Sequence, residues 1–202
     1  MTGSFAGRAR AYGIASALML LVRLVLASLA VASGAEIDGA RSRITVRVYK
    51  TGLFSVLAHN HEISAPIESG EVEQSGSPSV ELRVDAHKLR VLDPDASDDT
   101  RAQIQRTMEG PEVLDPDHFP EIHFRSTNIE AAGADHWVVH GNLDLHGQTR
   151  PVALELVLKD GLYRGSATLK QTAFGITPVS IAGGTVKVKD EVKVEFEIAL
   201  VK

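Results

Sequence analysis

Two histidines separated by a single residue, His59 and His61, are the side chains whose type and spacing are best suited to chemistry. Residues at positions i and i+2 of a strand lie on one face, so both imidazoles could ligate one zinc, copper or iron ion. In the competing interpretation, His59 and His61 hydrogen-bond backbone groups and secure a loop across the mouth of a barrel. Candidates for further metal ligands are Glu62, His123, His140 and His146.

Motifs of the common catalytic sites are absent from the sequence. There is no Gly-x-Ser-x-Gly elbow, no Walker loop and no dinucleotide fingerprint. The chain has no cysteine, which excludes thiol chemistry and disulfides. The acidic run Asp93–Asp99 lacks the glycine and the distal glutamate of an EF-hand loop, and we interpret it as the solvated start of a helix. We therefore expect a protein that is not an enzyme and that requires no cofactor.

The N-terminal segment has the features of an export signal. Arg8 and Arg10 precede two apolar runs, residues 14–22 and 24–32, which Arg23 separates. Neither run reaches the roughly 18 residues expected of a membrane span. Small residues follow the second run, as a signal-peptidase site requires. A start at Met19 is the alternative, because Arg23 would then belong to the basic region of a shorter signal peptide.

We expect residues 1–35 to be a signal peptide and residues 36–202 to form one domain. Removal of the first 35 of 202 residues leaves 167, a typical domain length. It also removes three arginines and moves the formal charge from −5 to −8. An acidic domain repels phosphates, so nucleic acid is not an expected partner. The expected location is periplasmic or secreted, and a transient contact with a membrane or membrane protein, or a homodimer, is compatible with this.

Apolar residues recur at every second position in several segments of the expected domain. The clearest are Ser42–Tyr49, Val80–Asp85, Val152–Lys159 and Val192–Leu200, and a further strand is expected over residues 62–73. A period of two places one set of side chains on one face of a strand. The Asp-Gly pair at 160–161 favours a two-residue hairpin turn between two such strands.

The apolar period changes in the long connection that precedes the central strands. Ile104 and Met108 are four residues apart, Thr100 and Gln103 fit a capping box, and Gly110-Pro111 is a stop signal. The sequence therefore predicts one or two short helices in this crossing connection, one of them from Ser97 to Gly110.

About eight strands with one apolar face each favour an antiparallel sheet that closes on itself. Closure removes the exposed edges that a long amphipathic sheet would otherwise present, although a sandwich is the alternative. The interior positions are mostly Val, Ile, Leu and Ala. The alternation leaves open whether such an interior encloses a cavity or is filled by its own side chains.

Two segments resemble the YceI-like polyisoprenoid-binding family. They are FPEIHFRST at 119–127 and HGNLDLHGQTRPVALELVL at 140–158, similar to the family patterns FP-x-I-x-F-x-S-T and V-x-G-x-L-T-x-x-G-x-T-x-x-V-x-L. QTAFGITP resembles the family's R-x-D-F-G-I, with Gln171 and Ala173 in place of its charged residues. The resemblance implies an all-β, lipocalin-like antiparallel eight-stranded barrel that holds a long apolar ligand.

The resemblance further implies an exported barrel that binds or carries a long-chain isoprenoid-type lipid, with a polyprenyl or quinone tail, in an apolar tunnel. The alternative function is a metal-binding or redox-associated periplasmic protein that uses His59 and His61. A third interpretation is a barrel with a filled core and a structural role. The wall residues expected from the alternation are Phe54, Leu57, Phe124, Leu145, Leu156, Phe174, Ile176 and Phe196.

Overall fold

The computed structural model describes residues 34–51, 60–181 and 186–202, which form an antiparallel all-β structure with one α-helix in the described ranges. The predicted signal segment lies outside the described residues, apart from its last two positions. The helix is α1 (Asp98–Glu109), and two short 3-10 helices span Ala86–Lys88 and Gln171–Phe174. The strands are β1 (Ala35–Glu36), β2 (Arg43–Thr51), β3 (His61–Ser64), β4 (Ile67–Glu73), β5 (Ser79–Asp85), β6 (Arg90–Val91), β7 (Glu121–Gly133), β8 (His136–Leu145), β9 (Gln148–Lys159), β10 (Leu162–Lys170), β11 (Ser180–Ile181) and β12 (Val186–Ile198).

All strands of the described residues belong to one sheet, in the order β1-β4-β5-β7-β8-β9-β10-β12-β2-β3-β6, with β11 paired to β12. The sheet curls, so that the residues around Ile37 contact both β4 and the residues that follow β12. The Ile37 N–H donates to the Gly70 carbonyl on β4, and the Asp38 N–H donates to the Ala199 carbonyl just after β12, each at 2.9 Å. A β-bridge also joins Ile37 to Leu200. The sheet is therefore barrel-like.

The expected count of eight strands is not confirmed, since the sheet has twelve in the part of the chain that the structure describes. Eight of them have seven or more residues, and β1, β3, β6 and β11 have four or fewer. The strand expected over residues 62–73 is divided into β3 and β4 at Ala65-Pro66. Proline has no N–H to donate to a neighbouring strand, which explains the interruption. β3 then pairs with β2 and β6, whereas β4 pairs with β1 and β5.

The helix predicted from Ser97 to Gly110 is confirmed, but its predicted capping box is wrong. Ser97 is the N-cap, and its Oγ accepts a hydrogen bond from the Thr100 N–H at 3.3 Å. Thr100 therefore lies inside the first turn and does not cap it. Asp98 and Asp99 occupy the first turn, where their negative charges interact favourably with the positive end of the helix dipole.

The two ends of the barrel differ in how they are built. The turns of the β4–β5, β7–β8 and β9–β10 hairpins lie at one end, which we call the hairpin end. The predicted Asp160-Gly161 turn is one of these, with φ of 54° and 76°. At the opposite end, the helix end, α1 and the residues around it cover the barrel. Met108 and Leu114 are buried there in one cluster with Ile63, Val84 and Val91.

On the outer face, the Glu81 carboxylate joins β5 to β7. Arg83 donates to it at 2.8 Å and Arg125 at 3.1 Å, and Nε2 of His123 lies 2.9 Å from Oε1. These contacts, the Arg83 guanidinium first, lower the pKa of Glu81 from its ordinary 4.5 to about 2. Because 37% of the Glu81 side chain is exposed, solvent screening limits its contribution to stability to about 1 kcal/mol.

Replacement of Leu156 tests the assignment of the two faces. Leu156 lies on the cavity side of β9, and Val157 next to it is 40% exposed on the outside. We expect Leu156→Asp to lower the free energy of unfolding by about 2–4 kcal/mol, because it places a charge on the apolar face. The control Val157→Asp should lower the free energy of unfolding by less than about 1 kcal/mol. Equal losses in urea denaturation would contradict the assignment.

The lowered pKa of Glu81 predicts a pH dependence. A depressed folded-state pKa contributes stability above the unfolded-state value, and this contribution is lost as the pH falls from 4.5 to about 2. Glu81→Gln should therefore be less stable than the wild type by about 1 kcal/mol at neutral pH. The difference should disappear near pH 2, whereas the exposed control Glu112→Gln should show none. Urea denaturation across this pH range measures both, and a difference that persists near pH 2 would contradict the assignment.

Candidate functional site

The barrel encloses a cavity of about 700 Å³, lined mainly by apolar side chains. Strand β9 shows how the alternation builds the wall. Val152, Leu154, Leu156 and Leu158 line the cavity and are half-buried, whereas the residues between them are exposed on the outside. The expectation of a uniform apolar face is confirmed for this strand. The interior, which the sequence left open between a cavity and a filled core, contains a cavity.

Two phenylalanines lie against the wall because the neighbouring strand has glycine at the contact. A Cβ on Gly141 would lie 2.5 Å from the Phe124 ring, and a Cβ on Gly165 would lie 2.7 Å from the Phe196 ring. Any larger residue at these glycines would displace the rings. The glycines of β8 and β10 thus let the Phe124 ring of β7 and the Phe196 ring of β12 lie along the sheet. This leaves volume in the middle of the barrel.

The helix end of the cavity is closed by buried apolar residues. Phe174 is 2% exposed and Ile176 is 4% exposed, and both follow β10 at this end. Met108 of α1 and Leu114 line the cavity here as well. An apolar ligand inserted from the hairpin end would therefore meet a hydrophobic floor.

The hairpin end carries the polar part of the wall. Glu73, Gln74, Asp135, Trp137 and Tyr163 all line the cavity there. The Trp137 and Tyr163 rings are 6.0 Å apart, and the Gln74 amide donates to the Tyr163 hydroxyl at 3.0 Å. The Ser75 hydroxyl and N–H both donate to Glu73 at 2.7 Å, which lowers the pKa of this carboxyl. The cavity thus has an apolar body and one polar end.

Six of the expected wall residues line the cavity: Phe124, Leu145, Leu156, Phe174, Ile176 and Phe196. Phe54 and Leu57 lie outside the described residues. Contact of these side chains with a ligand stays a prediction, since a position on the wall is a geometric fact only.

The sequence analysis missed the residues of the hairpin end. Tyr163 could have been found, because it has the same parity in β10 as Ala167 and Leu169, which also line the cavity. Gln74 and Asp135 lie in turns, where alternation gives no direction. Their approach to the cavity depends on how the sheet curls.

His61 pairs with a buried carboxylate. Its Nδ1 lies 2.5 Å from Oδ2 of Asp93, and the Glu62 N–H donates to Oδ1 of Asp93 at 2.8 Å. Asp93 is 5% exposed, so its interpretation as part of a solvated helix start was wrong. It is buried because Leu92, one residue earlier, pairs with Glu62 and brings Asp93 opposite His61. The pair borders a separate polar cleft of about 310 Å³.

The other candidate metal ligands have separate partners. Glu62 binds Arg47 at 2.7 Å, His123 binds Glu81, and Nε2 of His140 lies 3.8 Å from Glu130. His146 faces the Phe174 carbonyl, 3.2 Å from its Nδ1. Within residues 34–51, 60–181 and 186–202, no three acidic or histidine side chains converge as metal ligands. His59 lies outside these ranges. The geometry therefore does not favour the metal-binding alternative.

Among the described residues, no helix combines the length and the apolar composition that crossing a bilayer requires. Helix α1 has 12 residues and carries charged side chains along its length.

Comparison with known proteins agrees with this architecture. The chain is 26% identical over 120 residues to a UPF0312 protein of Shewanella sp. strain W3-18-1, which is 59% of this chain and 58% of the relative. It is 28% identical over 117 residues to a UPF0312 protein of Shewanella baltica strain OS155, which is 58% of this chain and 56% of the relative. The chain thus spans less than two thirds of the length of these curated relatives.

The crystal structure of BcnA from Burkholderia cenocepacia has the same fold. It superimposes with a TM-score of 0.63 at 17% identity, over 82% of this chain and 99% of BcnA. The profile of the YceI-like domain matches residues 36–200, which is nearly the whole described part of the chain. The curled antiparallel sheet, its apolar cavity and this match together place the chain in the YceI-like family.

Proposed function

We propose that this protein is an exported binding protein that holds a long-chain isoprenoid-type lipid, with a polyprenyl or quinone tail, inside its barrel. The observation that carries the proposal is the apolar cavity of about 700 Å³ with a hydrophobic floor at the helix end. Membership of the YceI-like family and the barrel-like fold are consistent with lipid binding.

The size of the cavity supports a tail of about four isoprene units. A carbon-sized group takes roughly 30 Å³, the volume of a water molecule in the liquid, so the cavity holds about 20 such groups. Each buried CH₂ contributes about 0.8 kcal/mol. Twenty of them offset the roughly 4–15 kcal/mol that association costs in lost translational and rotational freedom.

The wall supports binding more than catalysis. Its titratable side chains in the described part of the chain are Glu73, Asp135 and Tyr163, at the hairpin end. None of them is a nucleophile paired with a general base, which acyl or phosphoryl transfer would require. The proposal therefore includes no reaction and needs no cofactor.

Export is part of the proposal and rests on the N-terminal sequence. We expect processing in the window from Ala32 to Glu36, and β1 starts within this window at Ala35. Cleavage anywhere in this window keeps Ile37, which joins β4 to the end of β12. N-terminal sequencing of the protein from the periplasm or medium of its host tests this step. A transient contact with a membrane or membrane protein would supply the lipid.

Obstruction of the cavity should abolish lipid binding. Ala167 lines the cavity on β10, and Ala153 is exposed on the outer face of β9. We expect wild-type protein from its own host to carry about one lipid per chain in native mass spectrometry. Ala167→Trp should lose this lipid, because the indole occupies the tail's volume, and Ala153→Trp should keep it. Bound lipid should also raise the melting temperature of the wild type.

Two outcomes would contradict the proposal. Wild-type protein from its host without extractable lipid would remove its basis, and near-stoichiometric metal in that preparation would favour the metal-binding alternative. Equal lipid content in both tryptophan variants would place the lipid outside the barrel. Cooperative unfolding of each variant shows that it is folded.

A further inference from the structure

The polar side chains of the cavity wall are concentrated at one end. Glu73, Gln74, Asp135 and Tyr163 lie at the hairpin end. The polar wall residue at the other end, Gln171, already uses its amide to bind the Lys189 carbonyl at 2.8 Å. A ligand with an apolar tail and a polar head would therefore be oriented with its head at the hairpin end, since its tail matches the apolar floor.

A side-chain hydrogen bond lies at the hairpin end of the cavity, the end that we call the opening. Gln74 follows β4 and Tyr163 lies in β10, and these strands are not neighbours in the sheet. The 3.0 Å contact between the Gln74 amide and the Tyr163 hydroxyl therefore joins two parts of the wall that do not pair directly with each other. The bond is exposed, although Tyr163 itself is half-buried, so both groups can exchange it for a bond to an oxygen atom of a ligand. The opening thus offers hydrogen-bond donors for an uncharged head.

The charges at the opening are negative. Glu73 and Asp135 line the cavity, and the described cavity wall contains no lysine, arginine or histidine. The two Ser75 donors hold Glu73 in its ionised form by lowering its pKa. Arg164, next to Tyr163 in β10, lies on the outer face, where its Nε contacts Glu197 at 3.1 Å. No cation of the described wall compensates the two carboxylates.

We propose that this opening holds the head of the ligand and selects lipids with an uncharged, oxygen-bearing head over lipids with a phosphate head. The inference rests on the proposed lipid binding and specifies the class of lipid. An anionic head at the opening would lose water and face two carboxylates, whereas an alcohol or carbonyl loses little and gains the Gln74 and Tyr163 donors. At about 4 Å in water, each like-charge pair weakens binding by about fivefold.

The test uses two probes with the same C20 tail, geranylgeraniol and geranylgeranyl monophosphate. Their dissociation constants are measured by displacement of N-phenyl-1-naphthylamine fluorescence, below the concentrations at which either lipid self-associates. The test variant is Glu73→Gln with Asp135→Asn. The glutamine oxygen still accepts from Ser75, and asparagine tolerates the φ of 55° at position 135. The control variant, Glu112→Gln with Asp117→Asn, removes the same charge from exposed side chains at the helix end.

We expect wild-type protein to bind the alcohol at least about tenfold more tightly than the phosphate, from two like-charge pairs. The test variant should narrow this ratio to about twofold while its affinity for the alcohol changes little, and the control should keep the wild-type ratio. Equal or tighter binding of the phosphate by the wild type would overturn the inference and leave the lipid-binding function intact. A preference that survives in the test variant would also overturn it. Binding of neither probe by any folded variant would contradict the proposed function itself.

Discussion

The backbone hydrogen bonds around Ile37 hold the two sides of the curled sheet together, and the cavity depends on them. Ile37 binds Gly70 on one side, while Asp38 and Glu36 bind Ala199 and Val201 on the other. Glycine at position 70 favours the contact, because a Cβ there would lie 2.6 Å from the Ile37 side chain and 2.9 Å from the backbone oxygen of Glu81. Without this junction, β4 and the end of β12 would expose unpaired edges, which promote association with other chains.

The curl of the sheet alone does not create a cavity, because the size of the wall residues decides whether the interior is filled. A barrel of about eight long strands is just wide enough for side chains to fill it or for one small ligand. Here the wall is mostly Val, Leu and Ile, and the Phe124 and Phe196 rings lie along the sheet over Gly141 and Gly165. The helix end is filled by Met108 and its neighbours instead. The cavity is therefore a consequence of side-chain size and glycine placement within a curled sheet.

The alternation predicted the faces of the long strands and the four expected wall residues that lie in them, because side-chain direction in a strand is a local property. Phe174 and Ile176 line the cavity from outside the strands. The helix from Ser97 to Gly110 and the Asp160-Gly161 turn also follow from local signals, and both are confirmed. Long-range contacts were not predictable in this way. The burial of Asp93 depends on the pairing of β3 with β6, and the place of Gln74 depends on the curl of the sheet. Neither the pairing of β3 with β6 nor the curl of the sheet produces a periodic pattern in the sequence.

The two ends of the cavity differ in the free energy needed to open them. At the hairpin end, the Gln74–Tyr163 hydrogen bond is exposed and contributes about 1 kcal/mol. At the helix end, separation of Phe174 or Met108 from its buried contacts would cost several kcal/mol each, on the order of a large-to-small core substitution. Opening at the hairpin end therefore leaves the buried cluster intact.

An apolar wall discriminates poorly between tails, since one CH₂ changes the free energy of binding by only about 0.8 kcal/mol. Selectivity among lipids of similar length must then come from the polar groups at the hairpin end, which is also the end that opens at the lower cost.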